Sequence, residues 1–371
     1  MTKVVITGIG CWTGLGNLTS TWENLCLGHS SISLQQPFPE LPPYPLSLLK
    51  KEPTSLKTIT EKVVKDALAD AKLSSPLSDC GVVVGSSRGC QGEWEKWAQN
   101  GENPLNWLKT LPQQAAITTA QILSSTGTVL SPMAACSTGI WTIAQGYHLI
   151  TSGECEQVVA GAVESPITPL TLTGFSRMGA LAKTGCYPFD KQREGLVLGE
   201  GGAVFILESL ASARKRNAFI YGEISGYGVN CEAYHVSAPN PDYRCASEVI
   251  KTCLEKAKVS PDDINYIHAH GTSTQLNDQR EAVLIQSLFP SQVAVSSTKG
   301  ATGHTLGASS AIGVALTLKS LQTQILPPCV GLTDSEFPLQ FVREAISSRI
   351  NYALVLSFGF GGQNGAILVK N

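Results

Sequence analysis

Charge is scarce in this sequence. Asp, Glu, Lys and Arg supply only 15% of its 371 residues, and 27 cations nearly cancel 29 anions. That balance excludes a protein that grips nucleic acid or a membrane by bulk positive charge. A charge content this low beside 43% apolar residues also excludes a disordered chain and suits a large interior. The eleven cysteines include no C-x-x-C pair, which argues against a zinc cluster. Met1–Leu18 lacks a signal-peptide pattern, so no disulfide framework is expected and a reducing, cytoplasmic setting fits. Neither G-x-x-x-x-G-K-[ST] nor H-E-x-x-H occurs, so P-loop phosphate chemistry and that zinc motif are out. Gly8-Ile-Gly-Cys-Trp-Thr-Gly14 is one residue too long for the dinucleotide fingerprint. No cofactor and no metal are implied.

The length fits two or three domains, or two fused halves. Buried strands are predicted at Lys3–Ile9, Cys80–Gly85, Val158–Val163, Val204–Leu207, Ile220–Ile224, Ile264–His268, Val293–Ser296 and Ala353–Phe358. Helices are predicted at Thr21–Leu27, Ile59–Ala71, Arg244–Ala257 and Gln279–Leu288. Gln35–Pro53, rich in proline, reads as a surface loop. The alternation points to an α/β protein with helices covering sheets.

Two stretches, Thr110–Gly153 and Gly300–Leu318, contain no Asp, Glu, Lys or Arg. Their Ser, Thr, Gln, Gly and His content is costly in lipid, so neither reads as a membrane span. A helix without a charged face belongs inside a protein core. Each stretch holds a small-residue turn opening into a helix, Ala134–Gly146 in one and Thr302–Gly313 in the other. Each lies late in its half of the chain, which hints at a duplication with a seam near Ser209–Ile220.

Candidate reactive groups cluster at these turns. Cys136 sits where the first turn becomes a helix. The unpaired N–H groups there favour a thiolate, although an inert core cysteine also fits. His270 follows a predicted strand in His268-Ala-His-Gly-Thr-Ser-Thr274, a position where α/β sheets place reactive groups. His268 reads as a packed core histidine. His304 occupies the second turn, the counterpart of Cys136. Lys299 is the last charge before the second buried run and needs a partner. Glu281 is the candidate, but Asp278-Gln-Arg-Glu281 also resembles a capping box. Phe358-Gly-Phe-Gly-Gly-Gln-Asn-Gly365 can expose backbone N–H groups to a cavity as part of an oxyanion hole, or be a plain glycine hairpin.

Taken together, Ala135-Cys136-Ser137-Thr138-Gly139, Ala269-His270-Gly-Thr-Ser-Thr274, Lys299-Gly-Ala-Thr-Gly-His304 and Gly359-Phe-Gly-Gly362 closely resemble the β-ketoacyl-acyl carrier protein synthases, nearest to the elongating branch with two histidines. Trp22-x-x-Leu25-x-x-Gly28 and Pro188-Phe-Asp-x-x-Arg193-x-Gly195 extend the likeness over nearly the whole chain. The resemblance implies a thiolase-like fold of five α-β-α-β-α layers from two duplicated halves, residues 1–219 with the nucleophile and 220–371 with both histidines. It implies decarboxylative Claisen condensation of an acyl group on Cys136 with malonyl-acyl carrier protein. In that scheme His270 and His304 support decarboxylation, Lys299 and Glu281 shape the field, and the Cys136 and Phe360 N–H groups form the oxyanion hole. Phe360 is also a gate. Thr272, Thr274, Phe358 and Gly361 are candidates for substrate contact. The implied partner is an acyl carrier protein bearing acyl or malonyl phosphopantetheine thioesters, within a homodimer or a heterodimer. The alternative is a non-catalytic subunit like a chain-length factor, a class that typically replaces the nucleophile. Two departures stand out: Gly313 lies where elongating enzymes usually carry glutamate, nine residues past the second histidine, and Gln363 lies where threonine is usual.

Overall fold

Both faces of the central strands are buried, which explains their unbroken apolar runs. A computed structural model describes residues 2–101 and 107–371. In the strand Gly81–Gly85, Val82 and Val84 pack with Val63 and Ala67 of the helix Leu56–Asp70, while Val83 packs with Ile140 and Ile143 of the helix Thr138–Thr151. In the strand Tyr352–Gly359, Leu354 and Leu356 join Val249 and Ile250 of the helix Arg244–Ala257. Ala353 and Val355 instead join Ile312 and Leu316 of the helix Ser309–Thr323.

Among the described residues the largest sheet is mixed and has twelve strands, eleven in one path and a short twelfth, Gly16–Asn17, that pairs with the end of Val4–Thr13. Its seam is a short antiparallel pairing of Val4–Thr13 with Gly222–Cys231, with Val4 opposite Ile224. Outward on one side come Gly201–Ser209, Gln157–Glu164, Gly81–Gly85 and Val129–Leu130; on the other come Gln363–Lys370, Tyr352–Gly359, Tyr266–His268, Ala294–Ser296 and Gln340–Phe341. From the seam, the first two pairings on each side are antiparallel and the next two parallel.

The charge-free stretches resolve into this frame with corrections. Thr110–Gly153 is not one buried helix. It contains the helices Gln114–Leu123 and Thr138–Thr151, with the short strand Val129–Leu130 between them. Gly300–Leu318 begins in the short helix Lys299–Thr302 and continues into Ser309–Thr323, which is buried on every side as far as Leu318. Burying one Val, Ile or Leu contributes about 1.5–3 kcal/mol, whereas an unpaired charge there would cost more. Gln35–Pro53 is not all loop: Tyr44–Ser47 is a strand that pairs with Ser33–Gln35 and, in parallel, with Leu198–Gly199. Its partner lies too far along the chain for local sequence to reveal.

The two buried helices meet at their first turns. A Cβ on Gly139 would lie 2.4 Å from the backbone nitrogen of Ala311, so only glycine permits the approach. Ser310 Oγ accepts from the Ile140 N–H at 3.2 Å and donates to the Cys136 carbonyl at 3.3 Å. Gly139→Ala is therefore expected to destabilise the protein by about 1–3 kcal/mol through backbone overpacking. An unchanged urea midpoint would contradict this contact.

Candidate active site

Cys136 lies in a tight helical turn, Ala135–Ser137, that feeds directly into the helix Thr138–Thr151. Ala135 holds φ +46°, a strained value for a residue with a side chain. Leu306 repeats this at φ +42° in the corresponding turn before Ser309–Thr323. The Cys136 turn is bolted to the C-terminal hairpin. Ser137 Oγ donates to the Ser357 carbonyl (3.0 Å) and the Gln363 carbonyl (2.7 Å), and Ser357 Oγ donates to the Cys136 carbonyl (3.1 Å). The Phe358–Gly365 segment is thus a hairpin and a wall of the site at once.

Three distant segments converge here. The Cys136 sulfur and one ring nitrogen each of His270 and His304 all lie within 4.8 Å of one another. The imidazole rings stand edge to face with centroids 5.4 Å apart. His304 is seated by its N–H, which donates to the Val197 carbonyl at 2.7 Å, and by Nδ1, 3.0 Å from Ser309 Oγ. His270 is held through its backbone. Glu281 Oε1 accepts from the His270 N–H (2.6 Å), Glu281 Oε2 accepts from the Gly271 N–H (2.7 Å), and Lys299 Nζ donates to the His270 carbonyl. Lys299 Nζ also lies 3.5 Å from His270 Nδ1. Lys299 and Glu281 therefore clamp one residue from opposite ends instead of forming a direct ion pair.

Glu281 is not part of a capping box. Its helix starts earlier, at Gln275, after Thr274, so Glu281 falls in the second turn and turns its carboxylate to the His270–Gly271 backbone.

Burial governs the electrostatics. It pushes the Cys136 thiol up to about 11, against the opposing pull of Lys299, the Phe360 N–H and Arg88. The helix terminus does not produce a resting thiolate, contrary to the expectation from position alone. Burial, then the Lys299 ammonium, holds both His270 and His304 well below the ordinary histidine value, so both rings are neutral. Burial lowers Lys299, with Glu281 the largest opposing influence. Burial raises Glu281, against the His270 and Gly271 N–H donors.

Thr274, Phe358 and Phe360 line a cavity of about 340 Å³. Phe360 also lines a second cavity, of about 210 Å³, that contains Cys136. Thr272 is buried beside Thr274, hydroxyl to hydroxyl at 2.8 Å, and Gly361 sits at φ +77° with its N–H on the Val236 carbonyl; neither faces these cavities.

Sequence reasoning missed Glu164. Its buried carboxylate accepts from Ser86 Oγ, the Ser87 and Arg88 N–H groups and the Gly307 N–H at 3.0 Å, so it ties two site loops together. Nothing in its local sequence signals that role, because every donor is remote. His268 is a buried core residue, as read from the sequence, with Nε2 3.1 Å from Thr298 Oγ1. Its ring also accounts for Gly313. A Cβ at 313 would lie 2.7 Å from His268 Cε1, so the imidazole occupies the space a side chain there would need.

Residues 54–213 match the N-terminal domain of the beta-ketoacyl synthases and residues 221–333 match their C-terminal domain. A Staphylococcus aureus protein, 3-oxoacyl-[acyl-carrier-protein] synthase 2, is 32% identical across 99% of this chain and 98% of its own. The chain belongs to the β-ketoacyl synthase family. Among solved structures, the ishigamide ketosynthase/chain length factor superposes with a TM-score of 0.92 at 25% identity, covering 100% of this chain and 99% of that one. A chain of the AntDE:AntF structure, a type II PKS acyl-carrier protein in complex with its ketosynthase bound to the hexaketide, gives 0.91 at 26% identity, covering 100% and 99%. A β-ketoacyl synthase that keeps its cysteine and both histidines in contact is an active condensing enzyme, not a partner that has lost its nucleophile.

Alkylation of Cys136 by iodoacetamide, followed by intact mass, is expected to accelerate about tenfold per pH unit from 7 to 10, because the thiolate is the reactive form. A rate that levels off near pH 8.5 would mean that burial does not control this thiol.

Proposed function

We propose that this chain performs decarboxylative Claisen condensation of an acyl group on Cys136 with malonyl-acyl carrier protein, giving β-ketoacyl-acyl carrier protein in chain elongation of fatty-acid or polyketide type. The observation that carries this reading is the convergence of one sulfur and two neutral imidazoles within 4.8 Å. In the first half-reaction the Cys136 sulfur attacks the acyl thioester, a neutral imidazole takes its proton, and the carrier leaves as the thiol. The acyl oxygen is received by the N–H groups of Cys136 and Phe360; the reach of the Phe360 N–H to the sulfur supports this. Malonyl thioester then loses carbon dioxide, and the electron pair of the broken C–C bond becomes the enolate. Imidazole N–H donors from His270 and His304 stabilise the enolate oxygen. The carbanion attacks the acyl carbonyl, the new C–C bond forms and the sulfur departs.

Lys299 and Glu281 act as positioning residues, holding His270 by its carbonyl and N–H and keeping a positive field beside it. Thr272 and Thr274, with Phe358 and Gly361, are assigned to the thioester arm. The cavity lined by Thr274 and Phe358 supports two of the four. Phe360 is the gate between that arm and the acyl cavity. An acyl carrier protein is the inferred partner, within a homodimer or a heterodimer; the carrier is supported by the AntDE:AntF complex and the heterodimer by the ketosynthase/chain length factor structure.

The repeated pairing order around the seam supports two duplicated halves, 1–219 and 220–371, stacked as five α-β-α-β-α layers. Eleven free thiols support a reducing compartment such as the cytoplasm. No helix among the described residues is long and apolar enough to cross a membrane.

Incubation with hexanoyl- and malonyl-acyl carrier protein is expected to release carbon dioxide and lengthen the chain by two carbons. Release of free acid, or a requirement for coenzyme A, would point instead to hydrolysis or thiolysis. Cys136→Ala should show no acyl adduct by intact mass. His304→Ala should lower carbon dioxide release by roughly 10²–10³-fold, the usual cost of losing one oxyanion donor; an unchanged rate would remove His304 from that step.

A further inference from the structure

The cavity that holds the nucleophile is not a plain hydrocarbon pocket. Met133, Phe175, Leu306 and Phe360 give it apolar walls, but Arg88 stands among them with Cys136. The guanidinium lies 5.6 Å from the Phe175 ring centroid, stacked as a cation over an aromatic face. Phe175 in turn packs against Phe360, with centroids 6.1 Å apart. The Arg88 backbone is fixed as well, because its N–H donates to the buried Glu164 carboxylate at 3.1 Å. Among the described residues the guanidinium meets no carboxylate and donates no hydrogen bond. Its positive field reaches the sulfur.

A hydrocarbon chain filling this cavity would strip water from the exposed guanidinium without offering it a partner, which is unfavourable. A carboxylate would supply the missing anion in a forked, two-bond pair that arginine forms better than lysine. Size agrees. A cavity of about 150 Å³ holds benzene, so about 210 Å³ takes a short chain of on the order of eight non-hydrogen atoms.

We propose that Arg88 selects acyl groups carrying a carboxylate at the end remote from the thioester, such as glutaryl or adipyl, by pairing that carboxylate over Phe175. The proposal rests on the condensation assigned above and names its acyl substrate class. Arg88 serves the acyl side, since the cavity it lines holds the Cys136 sulfur that carries the acyl group, while Thr274 lines the wider cavity beyond Phe360.

The test presents the full chain with adipyl- and hexanoyl-acyl carrier protein separately and follows acylation of Cys136 by intact mass, then condensation with malonyl-acyl carrier protein. Wild type is expected to acylate from adipyl at least about tenfold faster. Arg88→Leu should invert that ratio with an unchanged melting temperature, and Arg88→Lys should keep part of it. Equal rates in the wild type would overturn the proposal, as would a ratio that Arg88→Leu leaves unmoved. A raised KM for malonyl-acyl carrier protein in Arg88→Leu with the primer ratio intact would place Arg88 on the extender and also overturn it. If hexanoyl is accepted and condensed without carboxylate preference, this inference falls and the condensation stands. If neither primer acylates Cys136 and malonyl thioester is not decarboxylated, both fall.

Discussion

The site depends on one steric constraint, the abutment of two buried helices at Gly139 and Ala311. Because no side chain intervenes, the first turns of both helices come within hydrogen-bonding range through Ser310. One turn carries Cys136 and the other follows His304. The contact therefore converts two segments far apart in sequence into facing walls of one chamber. His270 enters from the end of a third segment, the strand Tyr266–His268, whose parallel partners fix where it stops.

A chamber so enclosed is poor in water, and its electrostatics follow from that. Desolvation keeps the thiol protonated and both imidazoles neutral, leaving three uncharged groups able to exchange protons over short distances. Glu281 accepts from the His270 and Gly271 N–H groups, and Glu164 from N–H groups and serine hydroxyls of two site loops, so each ties down a loop that carries a site residue. Lys299 is a buried cation at the centre, and its ammonium is turned to a carbonyl and a ring nitrogen of His270.

Much of this was legible in the sequence. The strands and the helix Arg244–Ala257 appear close to where the sequence placed them, because burial of both strand faces leaves continuous apolar runs and burial of one face gives the helix its period. Cys136, His270 and His304 were visible because each sits at a turn where small residues interrupt such a pattern. What stayed hidden depends on remote partners. Tyr44–Ser47 pairs with Leu198–Gly199, Glu164 gathers donors from two loops, and Arg88 is an ordinary surface residue until Phe175 and Cys136 are brought beside it. Glu281 shows the opposite failure. A local motif suggested a cap, while the carboxylate's true partners were backbone groups ten and eleven residues upstream.

The fit of His268 against Gly313 also limits substitution. One ring fills the volume that a side chain on the other position would claim, so the two sites are sterically coupled. A side chain acquired at 313 has to displace that ring or take its place, so the residue tolerated at 313 depends on what stands at 268.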